Sequence, residues 1–430
     1  MNPTFQKEEC DLFGAGSREA NLGRVAIREI VSDALNTIPK GSRIVAIVPD
    51  KTRDDTTHIL LPMAIDELTD KEPSSFEVLI AQGTHAPMTD AEKYAKTGRE
   101  AWATWTRDSE IHNHRWNRAS ELIELGELGA ETVSDLTHGI YSKGVRVNVN
   151  RRLSPANCDI ILIFGGVLPH EVAGFAGGAK YLFPGVSGRE LTNVTHWIGA
   201  LSGIENVIGR VDTPVRRLIE AAADMIPARV VCFSSVLSRV NDGTIKTRAL
   251  YAGDLRKTFR AAATVSREVH IRRTGRKYSR VVAVLDRHYD ELWTGGKASY
   301  KLGGIIEDGG ELIIYAPHLT DFSRTHGEKI ERFGYAPIEQ IRKMVAKSPE
   351  LAEDLCVAAH LAHVAYAGRE NGKGTVEPRF RITLSSQVSK ERCAQTHLSY
   401  TDPAAFDIES FRDEADTLIV ERAGRDLYLV

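Results

Sequence analysis

Residues 159–196 read DIILIFGGVLPHEVAGFAGGAKYLFPGVSGRELTNVTH, and the change of character at Gly165 decides the fold class. The apolar run 160–164 reads as a buried strand. Glycines begin where that strand ends: Gly165, Gly166, Gly174, Gly177, Gly178, Gly185 and Gly188. Glycine-dense backbone loses more conformational entropy on folding than any other kind. Here it surrounds three side chains able to do chemistry, His170, Lys180 and His196. The pattern predicts backbone brought close to a ligand. In open α/β sheets ligands bind at the carboxyl ends of strands.

Working outward, strand-like runs recur at 43–48, 76–81, 230–233, 280–285 and 311–315. Helix-like segments lie between several of them, at 26–35, 60–68, 213–225 and 254–265. Alternation of this kind predicts an α/β protein with mostly parallel sheets and helices on both faces. A length of 430 residues suits two or three domains. The basic stretch 266–280, with Arg267, Arg272, Arg273, Arg276, Lys277 and Arg280, reads as a solvated linker or helix end. It divides a domain 1–270 from a domain 271–430. In the latter, 328–367 reads as largely helical, 379–384 as a strand and 417–430 as a strand pair around Gly424.

A formal net charge of −3 with no dominant Lys/Arg block argues against a nucleic-acid partner. The N-terminus has no apolar signal core, and no apolar run approaches membrane-spanning length. Cys10, Cys158, Cys232, Cys356 and Cys393 are scattered without a Cys-x-x-Cys pair. A reducing cytoplasm is the expected location, where the glycosylation pattern at Asn193-Val194-Thr195 has no meaning.

Four clusters carry candidate chemistry. Asp50, Thr52 and Arg53 follow a strand-like run. They suit a ribose, a metal, a phosphate or a carboxylate, or equally an N-cap and a surface arginine. His85 follows Gly83-Thr84 at another strand end, as a general base, a ligand or part of a turn whose Thr89 caps the next helix. The loop 174–180 is not a Walker motif, because Tyr181 stands where Ser or Thr would hold magnesium, and it is not a dinucleotide fingerprint. Its amides, including those of Gly177 and Gly178, can still cradle an anion. Lys180 fits a covalent anchor, a charge partner or a solvent-facing residue. Trp293, Thr294 and Lys297 suit the rim of a carboxylate pocket or a simple turn. His112 and His114 read as surface histidines, and His360 with His363 as a helix face without a third ligand.

Together these motifs resemble the nickel-pincer nucleotide-dependent lactate racemase family. The resemblance rests on Asp50-x-Thr52-Arg53, Gly83-Thr84-His85, and the long pattern from His170 through Gly177, Gly178 and Lys180 to Pro184-Gly185, with His196 downstream. It implies two α/β domains with the active site in the cleft between them. It implies a nickel-pincer nucleotide attached covalently to Lys180 through a thioamide, with His196 as the protein's nickel ligand. His85 and His170 would be the two acid/base residues, one on each face of the substrate. Asp50, Thr52, Gly177 and Gly178 would bind the nucleotide, while Arg53 and Lys297, with Trp293 and Thr294, would bind the substrate. The cofactor would be made by other proteins, so heterologously produced chain is expected to lack it.

The chemistry suits these residue types. The α-hydrogen of a 2-hydroxy acid is weakly acidic, so removing it as hydride needs an electron sink that side chains do not provide. On that resemblance one histidine would take the hydroxyl proton while the cofactor supplies the hydride acceptor, and return to the other face would invert the carbon. A neutral imidazole also suits nickel. Thr294 stands where the lactate enzymes carry Gln, Trp293 where they carry Tyr, and Cys356 where a Trp is expected. These departures favour a 2-hydroxy acid larger than lactate, such as a sugar acid. The rival readings are a nicotinamide-dependent dehydrogenase and a non-catalytic binder of sugar acids or nucleotides.

Overall fold

The computed structural model describes residues 12–53, 55–102, 110–240, 244–372 and 374–430. Its chain divides into two compact units. The first takes Met1–Leu168, Phe175–Thr192 and Val211–Val269, and the second takes Pro169–Gly174, Asn193–Arg210 and His270–Val430. A single cut at residue 270 therefore leaves out two upstream segments that fold with the second unit and carry His170 and His196. Specific bonds hold them there. Lys301 Nζ donates to Pro169 O, and Asn193 Nδ2 donates to Glu353 O at 3.2 Å.

The first unit is built on a seven-stranded sheet. Its spatial order is Leu12–Gly16, Ile245–Gly253, Arg229–Arg239, Ile160–Gly166, Arg43–Pro49, Ser75–Ala81 and Ile111–Asn113. The last five run parallel, and the first two add antiparallel to one side. Ile160–Gly166 is buried along its whole length, as a strand covered on both faces must be. Phe164 stacks on Phe233 with ring centroids 4.7 Å apart. The register sets Ile47 beside Ile163 and Val48 beside Ile80. The chain thus leaves Arg43–Pro49, Ser75–Ala81 and Ile160–Gly166 at one edge of the sheet, and that edge carries Asp50 and the loop of His85.

The second unit has a five-stranded, wholly parallel sheet in the order Ser399–Thr401, Arg381–Ser386, Ile306–Ala316, Tyr278–Leu285 and Thr417–Ala423. The expected α/β class with mostly parallel sheets holds. Two local expectations do not hold in full. Thr417–Ala423 pairs with Tyr278–Leu285, whereas Leu427–Leu429 pairs with Ile271–Arg273, so the tail strands do not pair with each other. Of the two readings of the basic stretch 266–280, the helix end holds and the linker does not. Helix Leu255–His270 runs through its start and strand Ile271–Arg273 follows. Carboxylates absorb its charge, Arg272 meeting Asp426 at 2.8 Å and Arg280 meeting Glu414 at 2.6 Å. The helical stretch 328–367 resolves into Gly327–Phe333, Ile338–Lys347, Pro349–Ala352 and Leu355–Ala365. The last of these is buried from Cys356 onward, as expected of a helix apolar all round. Among the described residues no helix is long and apolar enough to cross a membrane.

Candidate active site

In the first unit Asp50 is the buried hub. Its Oδ1 accepts from Thr52 N at 2.8 Å and Thr52 Oγ1 at 2.6 Å. Its Oδ2 meets His85 Nδ1 at 2.6 Å. Burial alone would raise the Asp50 carboxyl. The His85 ring, Arg53 and the Thr52 hydrogen bond outweigh burial and hold it far below the usual carboxylate range. A carboxylate on Nδ1 fixes the proton there and leaves the Nε2 lone pair as the basic site.

The loop that carries His85 is tied down on several sides. Gly83, in the left-handed region at φ 55°, donates its N–H to Gly185 O at 3.0 Å. Gln82 Nε2 donates to Ala86 O at 2.8 Å. Asn113 brackets Met88, accepting from its N–H at 3.1 Å and donating to its carbonyl at 2.7 Å. Thr89 forms a capping box with Glu92 at the start of Asp90–Thr97, as the sequence predicts.

Lys180, half-buried, sits on the turn Gly178–Tyr181. The glycines around it are explained by protein packing. A Cβ at Gly165 would lie 2.2 Å from the Tyr181 ring, at Gly177 2.5 Å from Val167 Cγ2, and at Gly178 2.9 Å from Phe259 Cβ. Glycine density alone therefore does not identify a ligand. Arg216, fully buried, was not anticipated. It donates to Phe175 O at 2.5 Å and Gly177 O at 3.1 Å and lies over the Phe259 ring at 3.9 Å. Its signal in the sequence is one arginine on the apolar face of Pro214–Asp224. Tyr181 donates to Gly166 O at 3.1 Å and lies within electrostatic reach of Arg53 and Asp50.

His114 corrects an expectation. It is buried, with Nε2 on Ser187 O at 2.9 Å and Nδ1 on Asn150 Nδ2 at 3.1 Å. Burial pushes it down to about 4. It is a structural strut and not a surface residue.

In the second unit His170 is buried. Its Nδ1 accepts from Val172 N at 3.1 Å, and its Nε2 lies 3.5 Å from Glu171 Oε1. Glu171 reaches Tyr300 and His363 electrostatically. Trp293 and Thr294 lie on the short helix Leu292–Gly295, and buried Lys297 opens the next one. Thr294 Oγ1 donates to Glu291 O at 3.2 Å, and Lys297 Nζ lies 5.4 Å from the Tyr289 ring centroid. Trp293 packs between His326 and His360, at centroid distances of 4.4 and 4.2 Å. His360 is thus a core ring beside a candidate site residue, and His363 is a buried ring against Tyr300 at 5.8 Å. His196, half-buried on Arg189–Leu201, lies within electrostatic reach of His360. Asn193, one turn earlier, accepts from Cys356 N at 3.1 Å.

A family model described as the lactate racemase N-terminal domain matches residues 17–206. A curated lactate racemase from Thermoanaerobacterium thermosaccharolyticum is 27% identical over 256 residues, 56% of this chain and 54% of its own. One from Lactiplantibacillus plantarum is 25% identical over 245 residues, 56% and 52% of the two chains. The chain thus aligns over about half the length of these curated relatives. The crystal structure of a Thermotoga maritima protein matches with a TM-score of 0.85 at 31% identity, covering 96% of this chain and 99% of that one. Over residues 17–206 the chain belongs to the lactate racemase N-terminal domain family. The lactate racemase apoprotein from Thermoanaerobacterium thermosaccharolyticum shares the fold, with a TM-score of 0.70 at 17% identity over 98% of this chain and 100% of that one. The lactate racemase N-terminal model takes in Asp50, His85, His170, Lys180 and His196, and stops before Trp293, Thr294 and Lys297.

Proposed function

We propose that the chain is a racemase or epimerase that inverts the carbinol carbon of a 2-hydroxy acid larger than lactate. The observation that carries this reading is the 2.6 Å Asp50–His85 pair, a buried carboxylate orienting an imidazole that is 24% exposed. His170, with Glu171 at 3.5 Å, gives a second imidazole beside a carboxylate. Two such imidazoles, one starting as base and the other as acid, serve the two enantiomers of one acid.

The cofactor implied by the family is the nickel-pincer nucleotide. The side chains present fit it: Lys180 on a fixed turn for covalent attachment, and His196 as a half-buried imidazole donor. Among the described residues no group of three or more His, Cys, Asp or Glu side chains is placed to hold a metal ion. A metal at His196 would therefore bring its remaining donors with it. When bound, the nucleotide supplies the electron sink that lets a weakly acidic α-hydrogen leave as hydride.

The chain's own residues do the rest. His85 Nε2 takes the proton from the carbinol hydroxyl of one enantiomer, while Asp50 keeps its Nδ1 protonated. His170, whose Nδ1 accepts from Val172 N and so leaves the proton on Nε2, would return a proton to the carbinol oxygen on the other face. Arg53 and Lys297 balance the substrate carboxylate, with Trp293 and Thr294 beside them. Thr52 keeps Asp50 in place. Gly177 and Gly178 offer backbone amides to the nucleotide phosphate. Cys356, buried in Leu355–Ala365 with its thiol on Asp354 at 3.2 Å, is far smaller than the Trp expected there, which favours a larger acid.

The partners on this reading are the small-molecule acid and the proteins that make the cofactor, and the location is the cytoplasm. The test is chain co-expressed with cofactor-making proteins and given one enantiomer of lactate, malate, 2-hydroxyglutarate or gluconate, with chiral chromatography of the products. The expected result is inversion without added nicotinamide. Inversion that needs NAD would instead support a dehydrogenase, and no inversion by loaded chain would end the proposal.

A further inference from the structure

The second unit buries more hydrogen-bonding capacity around Trp293 than its own chain uses. His360 is 6% exposed and Tyr335 is 3% exposed. Among the described residues, neither His360 Nε2 nor Tyr335 Oη has a hydrogen-bond partner. The two rings are neighbours, in edge-to-face contact at 5.8 Å between centroids. His360 also packs on Trp293 at 4.2 Å. Its other nitrogen, Nδ1, is engaged with Tyr300 Oη at 3.0 Å, which fixes the ring and leaves Nε2 as its open atom. A buried polar atom left unpaired is costly, and two on adjacent rings need an explanation.

The chemistry of the two atoms narrows the ligand. Burial, reinforced by His363, His326 and His196, holds His360 well below its ordinary value, so the ring is neutral. Burial, with Cys393 and Glu291 nearby, keeps the Tyr335 phenol protonated. Neither group is a cation matched to a second carboxylate. Tyr335 Oη both donates and accepts, and Nε2 does one or the other according to the tautomer that Tyr300 selects. The group that satisfies either polarity is a hydroxyl.

We infer that His360 Nε2 and Tyr335 Oη are specificity-determining atoms that bind hydroxyl groups beyond the carbinol carbon, so that the substrate is a polyhydroxylated, aldonic-type 2-hydroxy acid. This inference rests on the isomerase reading above. It explains why a ring system of this size surrounds Trp293, and it gives the two unpaired atoms partners that lactate lacks. A site built to hydrogen-bond a hydroxyl discriminates strongly against the analogue without it.

The test uses chain loaded by co-expression, with initial rates of C2 inversion on gluconate, malate and lactate. The variants are Tyr335→Phe, His360→Phe and His360→Gln. Tyr335→Phe removes one oxygen and keeps the ring, so it is the variant least able to disturb folding. We expect wild-type kcat/KM on gluconate to exceed that on lactate by at least about tenfold. Tyr335→Phe and His360→Phe should each cut the gluconate value about tenfold or more, chiefly through KM, and leave lactate within about threefold. His360→Gln should recover part of the loss. The rise in melting temperature given by saturating gluconate should shrink in Tyr335→Phe. A wild-type preference for malate or lactate, or variants that depress all three acids equally, would overturn the inference and leave the isomerase reading standing. An equal gluconate-induced rise in wild type and Tyr335→Phe, as a buried water at these atoms would give, would also overturn it. Loaded wild type that inverts none of the acids would overturn both.

Discussion

On the proposed reading, Asp50 is the residue on which the chemistry turns. With Thr52 on one oxygen and His85 on the other, an Asn at 50 keeps the acceptor for Thr52 but turns an amide donor toward His85 Nδ1. That would move the ring proton to Nε2 and remove the base. Asp50→Asn is therefore expected to lower kcat on the order of 10³-fold, with a melting temperature near that of wild type, read by chiral rate assay and calorimetry. Unchanged turnover would contradict the assigned pair. His114 makes a separate prediction about stability. Folded, it is pushed down to about 4 by burial, whereas in the unfolded chain it titrates near 6.5. The unfolded state binds this proton first, so the stabilisation is complete above about pH 6.5 and is lost as pH falls toward 4. The size is on the order of 3 kcal/mol for this buried ring. Urea unfolding at pH 7 and at pH 4.5 reads it, and His114→Gln should shrink the difference by the share of this ring, leaving that of His112, His360 and His363. The sequence shows neither the Asp50–His85 contact nor the His114 strut. Both depend on residues far apart in the chain that only the sheet brings together.

At the scale of elements, the inner strands were legible and the outer ones were not. Arg43–Pro49, Ser75–Ala81 and Ile160–Gly166 announce themselves as apolar runs because both faces are covered. Ile245–Gly253, reading IKTRALYAG, and Leu12–Gly16, reading LFGAG, have no such run, because their side chains are only partly buried. The glycine-rich segment stands out in the sequence, but the packing that requires those glycines is not visible there. Tyr181, Val167 and Phe259 occupy the space that Cβ atoms would need. Gly178 also holds φ at 58°, a region other residues enter at a cost. Gly178→Ala is therefore expected to destabilise the chain by about 2 kcal/mol, from left-handed backbone strain and the contact with Phe259. It should also reduce the fraction of Lys180 modified when cofactor-making proteins are present. Thermal melts and intact-protein mass spectrometry read the two effects, and a variant as stable as wild type would refute the packing explanation.

At the scale of the molecule, the α/β class followed from the alternation of strands and helices, while the assignment of segments to units did not. His170 and His196 precede residue 270 in the chain, yet their segments belong to the second unit with Trp293, Lys297 and His360. No composition shift marks those crossings, because they depend on tertiary bonds such as those of Lys301 and Asn193. The central proposal is that this chain inverts a 2-hydroxy acid with a cofactor held on Lys180. The most direct measurement combines mass and chirality on one sample: chain co-expressed with cofactor-making proteins, weighed intact, then incubated with a single C2 stereoisomer of gluconate without nicotinamide. The account predicts a mass increase located on Lys180, bound nickel, and formation of the C2 epimer, with mass increase and epimer both lost in Lys180→Ala. An unmodified, nickel-free chain that forms the epimer at the full rate would contradict it.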